Sequence, residues 1–455
     1  MKPLDLNFIC QTLNLPMPSE NRPVGRIVTD SRDIQDGDVF FALAGERFDA
    51  HDFVADVLAK GAVAAIVSRD DCAGLAGALK VDDTLAALQT LAAAWRENVQ
   101  PFVFGITGSS GKTTVKEMLA AVLRRRFGAD AVLATAGNLN NHIGLPLTLL
   151  KLTPQHRYAV IEMGMNHFGE LALLTQIAKP DAALVNNALR AHVGCGFDGV
   201  GDIAKAKSEI YQGLRPNGLA LIPSEDENVT VFQTAAHAFK QHTFGVGQGD
   251  IHAEEIELNP LSCAFVLVSG NERAAVQLPV PGKHNIHNAV AAAALAQAAG
   301  LTLSEISDGL SDFANIKGRL QIKKGIKGAT VLDDTYNANP DSMKAALDVL
   351  AGLPAPRIFV MGDMGELGED ETAAMHAEVG AYAREKGIEA AYFVGDESVS
   401  AAETFGADGL WFADKDPLIQ VLVHDLPQNA HVLVKGSRFM KMEEVVSALV
   451  EDKAV

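Results

Sequence analysis

Residues 105–114 read Gly-Ile-Thr-Gly-Ser-Ser-Gly-Lys-Thr-Thr, between the apolar run Phe102-Val103-Phe104 and a helix-like stretch from Val115 to Arg126. A buried strand, a glycine-rich turn and a helix start are what a phosphate-binding loop needs. The turn's backbone N–H groups and the positive end of the helix then face an anion. Lys112 is long enough to reach the outer phosphates of a nucleoside triphosphate, and the Thr113 hydroxyl is suited to ligate magnesium. Thr107, Gly108, Ser109, Ser110, Gly111 and Thr114 complete the candidate nucleotide-binding set. The generic spacing asks for glycine at 106, where this chain has Ile106 flanked by Gly105 and Gly108. The loop predicts a nucleoside triphosphate and leaves its use open.

At 455 residues the chain is too long for one ordinary core, so two or three domains are expected. No apolar run is long enough to span a bilayer, and Met1-Lys2-Pro3-Leu4-Asp5 lacks the charged-then-apolar pattern of a signal peptide. Cys10, Cys72, Cys195 and Cys263 are scattered without metal-type spacing and read as reduced thiols, so a cytoplasmic protein is expected. A formal charge of −19 argues against a nucleic-acid partner, which needs a basic footprint. It leaves room for an anionic small molecule, since loops and helix ends bind phosphate on acidic proteins.

Along the chain, Val24–Thr29, Val39–Leu43 and Ala62–Val67 read as strands and 53–59 and 85–95 as helices, a small α/β unit with a junction near Glu97–Gln100. From Phe102 the pattern is strand then helix, with polar residues after each apolar run: Glu162 after Tyr158–Ile161, Asn186-Asn187 after Ala183–Val185. Loops past the carboxyl ends of parallel strands form ligand crevices, so Glu162 and residues 186–192 are candidates for the crevice of the phosphate loop. Residues 202–213 read as a helix, 250–280 as an antiparallel excursion and 288–299 as an alanine-rich helix. From Ile316 onward, four apolar strands each lead into a polar loop, as in a dinucleotide-fold sheet, without the Gly-x-Gly-x-x-Gly of a nicotinamide site. Divisions at 1–98, 99–315 and 316–455 follow.

Single residues carry two readings each. Glu162 ends a strand and either binds magnesium beside a triphosphate or caps a loop. His192 is a metal ligand or a structural histidine. Lys205 and Lys207 on the 202–213 helix would ordinarily be solvated charges. Asn288 caps the alanine-rich helix or reads an adenine edge, and propensity favours capping. Asp333-Asp334, ahead of Asn337, Asn339 and Pro340, exceeds what a turn needs, although Asx chemistry before proline is a common structural device.

Taken together, the sequence resembles the Mur ligase family, ATP-dependent amide ligases of bacterial cell-wall synthesis. The resemblance spans the whole chain. It is carried by Thr29–Arg32, Gly45–Asp49, Thr107–Thr114, Asn138–Asn141, Glu162–Gly164, His192, Ala204–Glu209, Pro281–Asn288, Gly318-Arg319 and Asp334–Met343. Gly-x-x-Gly-Lys-Thr-Thr is that family's own form of the loop. The Asp333–Met343 and Gly362–Gly368 blocks are similar to the branch that adds D-alanyl-D-alanine. The Asp-Asn-Pro-Arg signature of the diaminopimelate- or lysine-adding branch and the Gly-x-x-Gly-Lys-Gly of folylpolyglutamate synthases are absent.

The resemblance implies three α/β domains: a small N-terminal substrate domain, a central P-loop ATPase-type sheet and a C-terminal Rossmann-like domain. It implies that the γ-phosphoryl of ATP passes to the carboxylate of a UDP-N-acetylmuramoyl-tripeptide and that the amine of D-alanyl-D-alanine displaces phosphate. Lys112, His192 and Lys207 would be catalytic; Thr113, Glu162, His192 and Lys207, the last as a carbamate, would hold Mg2+. Lys205 is the rival for carbamylation on a different helix face. Asn138, Asn288, Arg319 and Asp334 would contact the nucleotide, and Ser31, Arg32, Gly45 and Arg47 the UDP end of the first substrate. Asn337, Asn339, Lys435 and Arg438 would lie near the dipeptide. A monomer with no nucleic-acid partner is expected. The alternatives are another amino-acid-adding ligase of this type or a nucleotide-gated binding protein.

Overall fold

The computed structural model describes every residue except Met1, Glu46, Arg47, His192, Cys195, Asn315 and 452–455. The roles expected of Arg47 and His192 therefore lie outside the described residues. The chain forms two compact units, one of residues 1–106, 127–183 and 209–219, the other of 107–126, 184–208 and 220–455.

In the first unit, Ile27–Val28, Val39–Phe41, Ala64–Val67 and Ala78–Lys80 form a four-stranded parallel sheet in that order. Phe40, Ala65, Val67, Val54 and Val57 build its core. The strands are shorter than the apolar runs that signalled them. The fourth was not expected, because Ala-Leu-Lys lacks the β-branched residues that mark a strand. The helix expected over 85–95 runs from Thr84 to Val99, with Asp83 accepting from the Leu85 and Ala86 N–H groups at its start. Its last turn takes up the expected junction, and left-handed Gln100 (φ 56°) ends it before Pro101.

Phe102–Ile106 pairs in parallel with Tyr158–Glu162, which pairs in turn with Val132–Ala134. Both faces of such strands are covered, so Val103, Phe104, Ile106, Val160 and Ile161 are fully buried. A Cβ on Gly105 would press on Met163 and Pro180 at 3.3 Å. Ile106 is thus a strand residue in register with Glu162, which explains its departure from the generic loop spacing. Arg96 is buried, donating to the carbonyls of Ala178 and Lys179 at 2.8 Å and to Asp181 at 3.2 Å.

The loop helix spans Lys112–Phe127, all but its last residue in the second unit. The helix expected over 202–213 is α-helical over Val200–Ser208, and Glu209–Gly213, which belong to the first unit, form 3-10 turns. Ile251–Asn259, Ser262–Ser269 and Glu272–Leu278 form the antiparallel excursion. The alanine-rich helix begins at Lys283, five residues earlier than its composition suggested, and ends at Ala298. A six-stranded sheet follows in the order Gln321–Lys324, Thr330–Asp334, His431–Lys435, Arg357–Gly362, Ala390–Val394, Gly409–Phe412. Its first strand is antiparallel and the other pairings are parallel. The two edge strands were not foreseen. The inner strands bury Val331, Val360, Val432 and Val434 against Leu418, Leu422 and Val446 of the flanking helices. Among the described residues no helix is long and apolar enough to cross a membrane.

Arg96→Met leaves Asp181 and two carbonyls without their buried partner. A loss of roughly 3 kcal/mol is expected, the scale for breaking one side of a buried pair. It is read as a lowered urea midpoint of the first unit; an unchanged midpoint contradicts the role given to Arg96.

Candidate active site

The phosphate loop turns where its sequence requires. Gly111 has φ +79°, and a Cβ there would overlap Asn186 and Asn288, so both backbone and packing demand glycine. Lys112 folds back so that its Nζ donates to the Gly108 carbonyl at 2.7 Å, which holds the ammonium over the turn. Two loop N–H groups do not point into the turn as the sequence suggested. Ser109 N–H donates to the Asn187 carbonyl (3.1 Å) and Ser110 N–H to Asn187 Oδ1 (2.9 Å). The Ser109 hydroxyl donates to Leu189 O and accepts from Leu189 N–H. The anion-binding capacity therefore rests on Lys112 and the start of the loop helix, where first-turn N–H groups have no helical acceptor.

A cavity of about 310 Å3 opens beside the loop, lined by Ser110, Gly111 and Thr114. Asn288, Arg319 and Asp334 line it too. Asn288 is the sixth residue of its helix, whose cap is Gly282, so the expected capping role is wrong. Its Oδ1 accepts from Asn186 Nδ2 (3.0 Å), and its Nδ2 donates to Asn285 Oδ1 (3.3 Å). Asn186 Nδ2 also donates to Ser110 O (2.9 Å), so an amide chain ties the loop to the alanine-rich helix. Asn186 and Asn187 lie beside the phosphate loop, where residues 186–192 were expected, while sequence reasoning gave no individual role to His284 or His287. Both histidines fall ahead of the helix that composition places at 288–299, so nothing in the sequence marks them as helical residues at a cavity.

Arg319 stacks over Tyr336 (4.2 Å to the ring centre) and donates to the Thr113 hydroxyl at 3.3 Å. Asp334 accepts from buried Lys435 at 2.5 Å and from Leu320 N–H. Burial lowers the Lys435 pKa, and Asp334 opposes that shift. Asn186 and Arg319 both line this cavity, and Asn186 Oδ1 and Arg319 Nε are buried without a hydrogen-bond partner. An unpaired buried polar atom costs about 1–3 kcal/mol, so two at one cavity point to a ligand that supplies partners. Asn337 Oδ1 accepts from Ala338 N–H, Asn339 caps the helix Pro340–Ala351, and Arg438 pairs with Glu443.

Lys207 is 1% exposed, and its pKa is pulled well below the lysine range by burial and then by the neighbouring charge of Lys112, with Glu366 acting the other way. Lys205, two residues earlier, is exposed and pairs with Asp202 at 2.9 Å. The helix thus gives the two lysines the different faces that their spacing predicts.

In the first unit Glu162 is buried, receiving the side-chain N–H of Asn140 at 2.8 Å, while its backbone N–H donates to the Thr135 hydroxyl. Asn140 was not singled out; Asn138, which was, is exposed in the turn before it. Ser31, Arg32 and Gly45 lie in loops next to the four-stranded sheet. Arg32 pairs with Asp30 and holds its carboxyl down at about 2.

Residues 23–96 match the Mur ligase family, catalytic domain, 106–296 the Mur ligase middle domain, and 318–438 the Mur ligase, glutamate ligase domain. The chain belongs to the Mur ligase family, α/β enzymes of three domains. The UDP-N-acetylmuramoyl-tripeptide–D-alanyl-D-alanine ligase of Escherichia coli is 43% identical over 98% of each chain. A crystal structure of MurF from Acinetobacter baumannii superposes with a TM-score of 0.91 at 40% identity, covering 99% of this chain and 100% of that one. MurF ligase from Thermotoga maritima, solved in complex with ADP, has a TM-score of 0.83 at 27% identity, covering 93% and 96%.

Enclosure in the cavity wall pushes the His284 pKa down to about 4, and burial lowers His287 as well. Burial favours the neutral His284 ring in the folded chain, whereas unfolded histidine takes a proton near pH ~6.5. Stability is therefore full above about pH 6.5 and falls as the pH drops toward about 4. His284→Gln should flatten the decline in urea midpoint between about pH 7 and about pH 5; an identical slope contradicts a neutral His284.

Proposed function

We propose that this chain is an ATP-dependent ligase that joins D-alanyl-D-alanine to the terminal carboxylate of a UDP-N-acetylmuramoyl-tripeptide, a step in making peptidoglycan precursors. The observation that carries this reading is the cavity of the second unit. There a phosphate loop with a poised lysine meets Arg319 and Asp334, in a chain whose full length follows ligases of that name.

Amide formation in water needs an activated acyl group. The tripeptide carboxylate attacks the γ-phosphorus of ATP, ADP leaves, and an acyl phosphate results. The dipeptide amine then attacks the acyl carbon, loses a proton, and the tetrahedral intermediate expels inorganic phosphate. Most of the protein's work is positioning and charge neutralisation. Lys112 sits where the β- and γ-phosphates enter the loop. Arg319 neutralises charge from the opposite wall, with Asp334 at the ribose and Asn288 at the base. Asn138 is proposed on the nucleotide side.

Mg2+ fits the residues present. The Thr113 hydroxyl, buried at the helix start, is a hard oxygen of the kind magnesium takes alongside phosphate oxygens, and Glu162 and His192 are the further ligands proposed. Bound there, the ion would offset charge developing on the transferred phosphoryl group. Lys207 is the proposed carbamate. Burial favours the neutral amine, which attacks carbon dioxide; a nitrogen–carbon bond forms, one proton leaves, and the neutral side chain becomes an anionic ligand.

Domain bounds of 1–98, 99–315 and 316–455 are proposed. Ser31, Arg32, Gly45 and Arg47 are placed at the UDP moiety, and Asn337, Asn339, Lys435 and Arg438 toward the dipeptide. Of these last, capping accounts for Asn339 and the Asp334 pair for Lys435. A cytoplasmic monomer is proposed.

The direct test mixes the protein with ATP, magnesium, D-alanyl-D-alanine and UDP-muramoyl tripeptides ending in diaminopimelate or lysine, and weighs the product. A pentapeptide nucleotide is expected; ATP cleavage indifferent to any amine contradicts the reading. Lys112→Ala should abolish phosphate release with folding intact, and near-normal turnover removes the lysine from the mechanism. Lys207→Ala should lose activity and regain part of it with added short carboxylates. Full activity without them returns Lys207 to a packing role.

A further inference from the structure

Arg190 lies one residue beyond the cavity wall, in the loop that laces the phosphate turn. Its guanidinium donates to Asp341 through Nη2 (2.7 Å) and Nε (3.3 Å) and to Glu378 through Nη1 (2.8 Å) and Nη2 (3.2 Å). Its backbone N–H also donates to Asp341, at 3.1 Å. Lys344 pairs with Glu378 from the same side. Asp341 is in the first turn of the helix Pro340–Ala351, whose Asp341, Ser342 and Ala345 line the cavity. Glu378 belongs to a separate helix, Glu369–Glu385. Three residues on, Val193 O accepts from Gly368 N–H at 2.9 Å, and a Cβ on Gly194 would overlap the Gly368 backbone. The loop and the six-stranded-sheet region therefore meet at a close seam with Arg190 at its polar end.

We infer that Arg190 is a positioning residue for ATP. It fixes the Asp341 helix as a wall of the nucleotide cavity and cancels the Asp341 carboxylate, which would otherwise repel a polyphosphate. Two observations support both parts. Mechanically, Ser109 and Ser110 are bonded to Asn187 and Leu189, and Arg190 extends the same loop to two helices, so the phosphate turn and the far wall share one strut. Electrostatically, Asp334 on that wall already has Lys435 as its counter-charge, and Arg190 plays the same part for Asp341. The pair is half-buried, so it is screened less than a surface contact.

The inference rests on the cavity being the ATP site, and its test separates the two. Steady-state kinetics are run on Arg190→Gln, Arg190→Lys and Glu378→Gln, with Asn288→Ala as a control inside the cavity. The ATP KM should rise about tenfold in Arg190→Gln and about threefold in Glu378→Gln, with Arg190→Lys between them. At saturating ATP, kcat should stay within about threefold, and the KM for the UDP-linked tripeptide should not move. A purely structural role would instead lower kcat and both KM-derived efficiencies together. If Asn288→Ala raises the ATP KM and neither Arg190→Gln nor Glu378→Gln does, Arg190 is not a positioning residue. If no variant, the control included, changes it, the cavity is not the ATP site and both readings fall. Should Arg190→Gln not fold, Glu378→Gln decides, because it leaves Arg190 and Asp341 in place.

Discussion

Everything in the second unit that concerns phosphate depends on how Asn187 holds the loop. Its carbonyl and side chain take the N–H groups of Ser109 and Ser110, and Leu189 closes the Ser109 hydroxyl into a reciprocal pair. A glycine-rich turn loses more conformational entropy than most segments when it is ordered. Here that cost is met within the protein, so a triphosphate meets a turn already shaped. Lys112 lies across it, and Gly111 packs so closely on Asn186 and Asn288 that no side chain would fit.

A chain with a formal charge of −19 must also keep its own carboxylates from repelling the anion it binds. The cavity does this locally. Asp334 is set against Lys435, Asp341 against Arg190, and Asp226 is occupied by the backbone N–H of Ala188. Arg319, stacked on Tyr336, is left to turn its charge toward the loop helix. Burial likewise holds the Lys207 pKa below the ordinary lysine range, and the neutral amine is the form that reacts with carbon dioxide.

Much of this was legible in the sequence because the signals were local. The loop, its strand and its helix stand in line, and the residues after each apolar run lie where parallel sheets put ligands. Helical spacing puts Lys205 and Lys207 on different faces, and packing decides that Lys207 is the buried one. What was hidden was set by tertiary contact. The sequence puts Asn187 at the crevice, but its bonds to the Ser109 and Ser110 N–H groups exist only once the loop is folded against it. The alanine-rich helix starts at Lys283, through His284, Asn285 and His287, which have modest helix propensity and are held by packing and by the amide chain to Asn186. Asn140 rather than Asn138 reaches Glu162 because the turn between them sends one side chain inward and leaves the other exposed. Ile106 looked like a defect in the motif and is a strand residue in register with Glu162.

The claim at the centre of this account is that the γ-phosphoryl of ATP goes to a carboxylate. Oxygen tracing tests it most directly. A UDP-muramoyl tripeptide carrying oxygen-18 in its terminal carboxylate is turned over with ATP and D-alanyl-D-alanine, and the released phosphate is weighed. An acyl phosphate predicts one labelled oxygen in each phosphate released, since the carboxylate oxygen leaves with phosphorus when the amine attacks. Unlabelled phosphate beside a formed amide would contradict it.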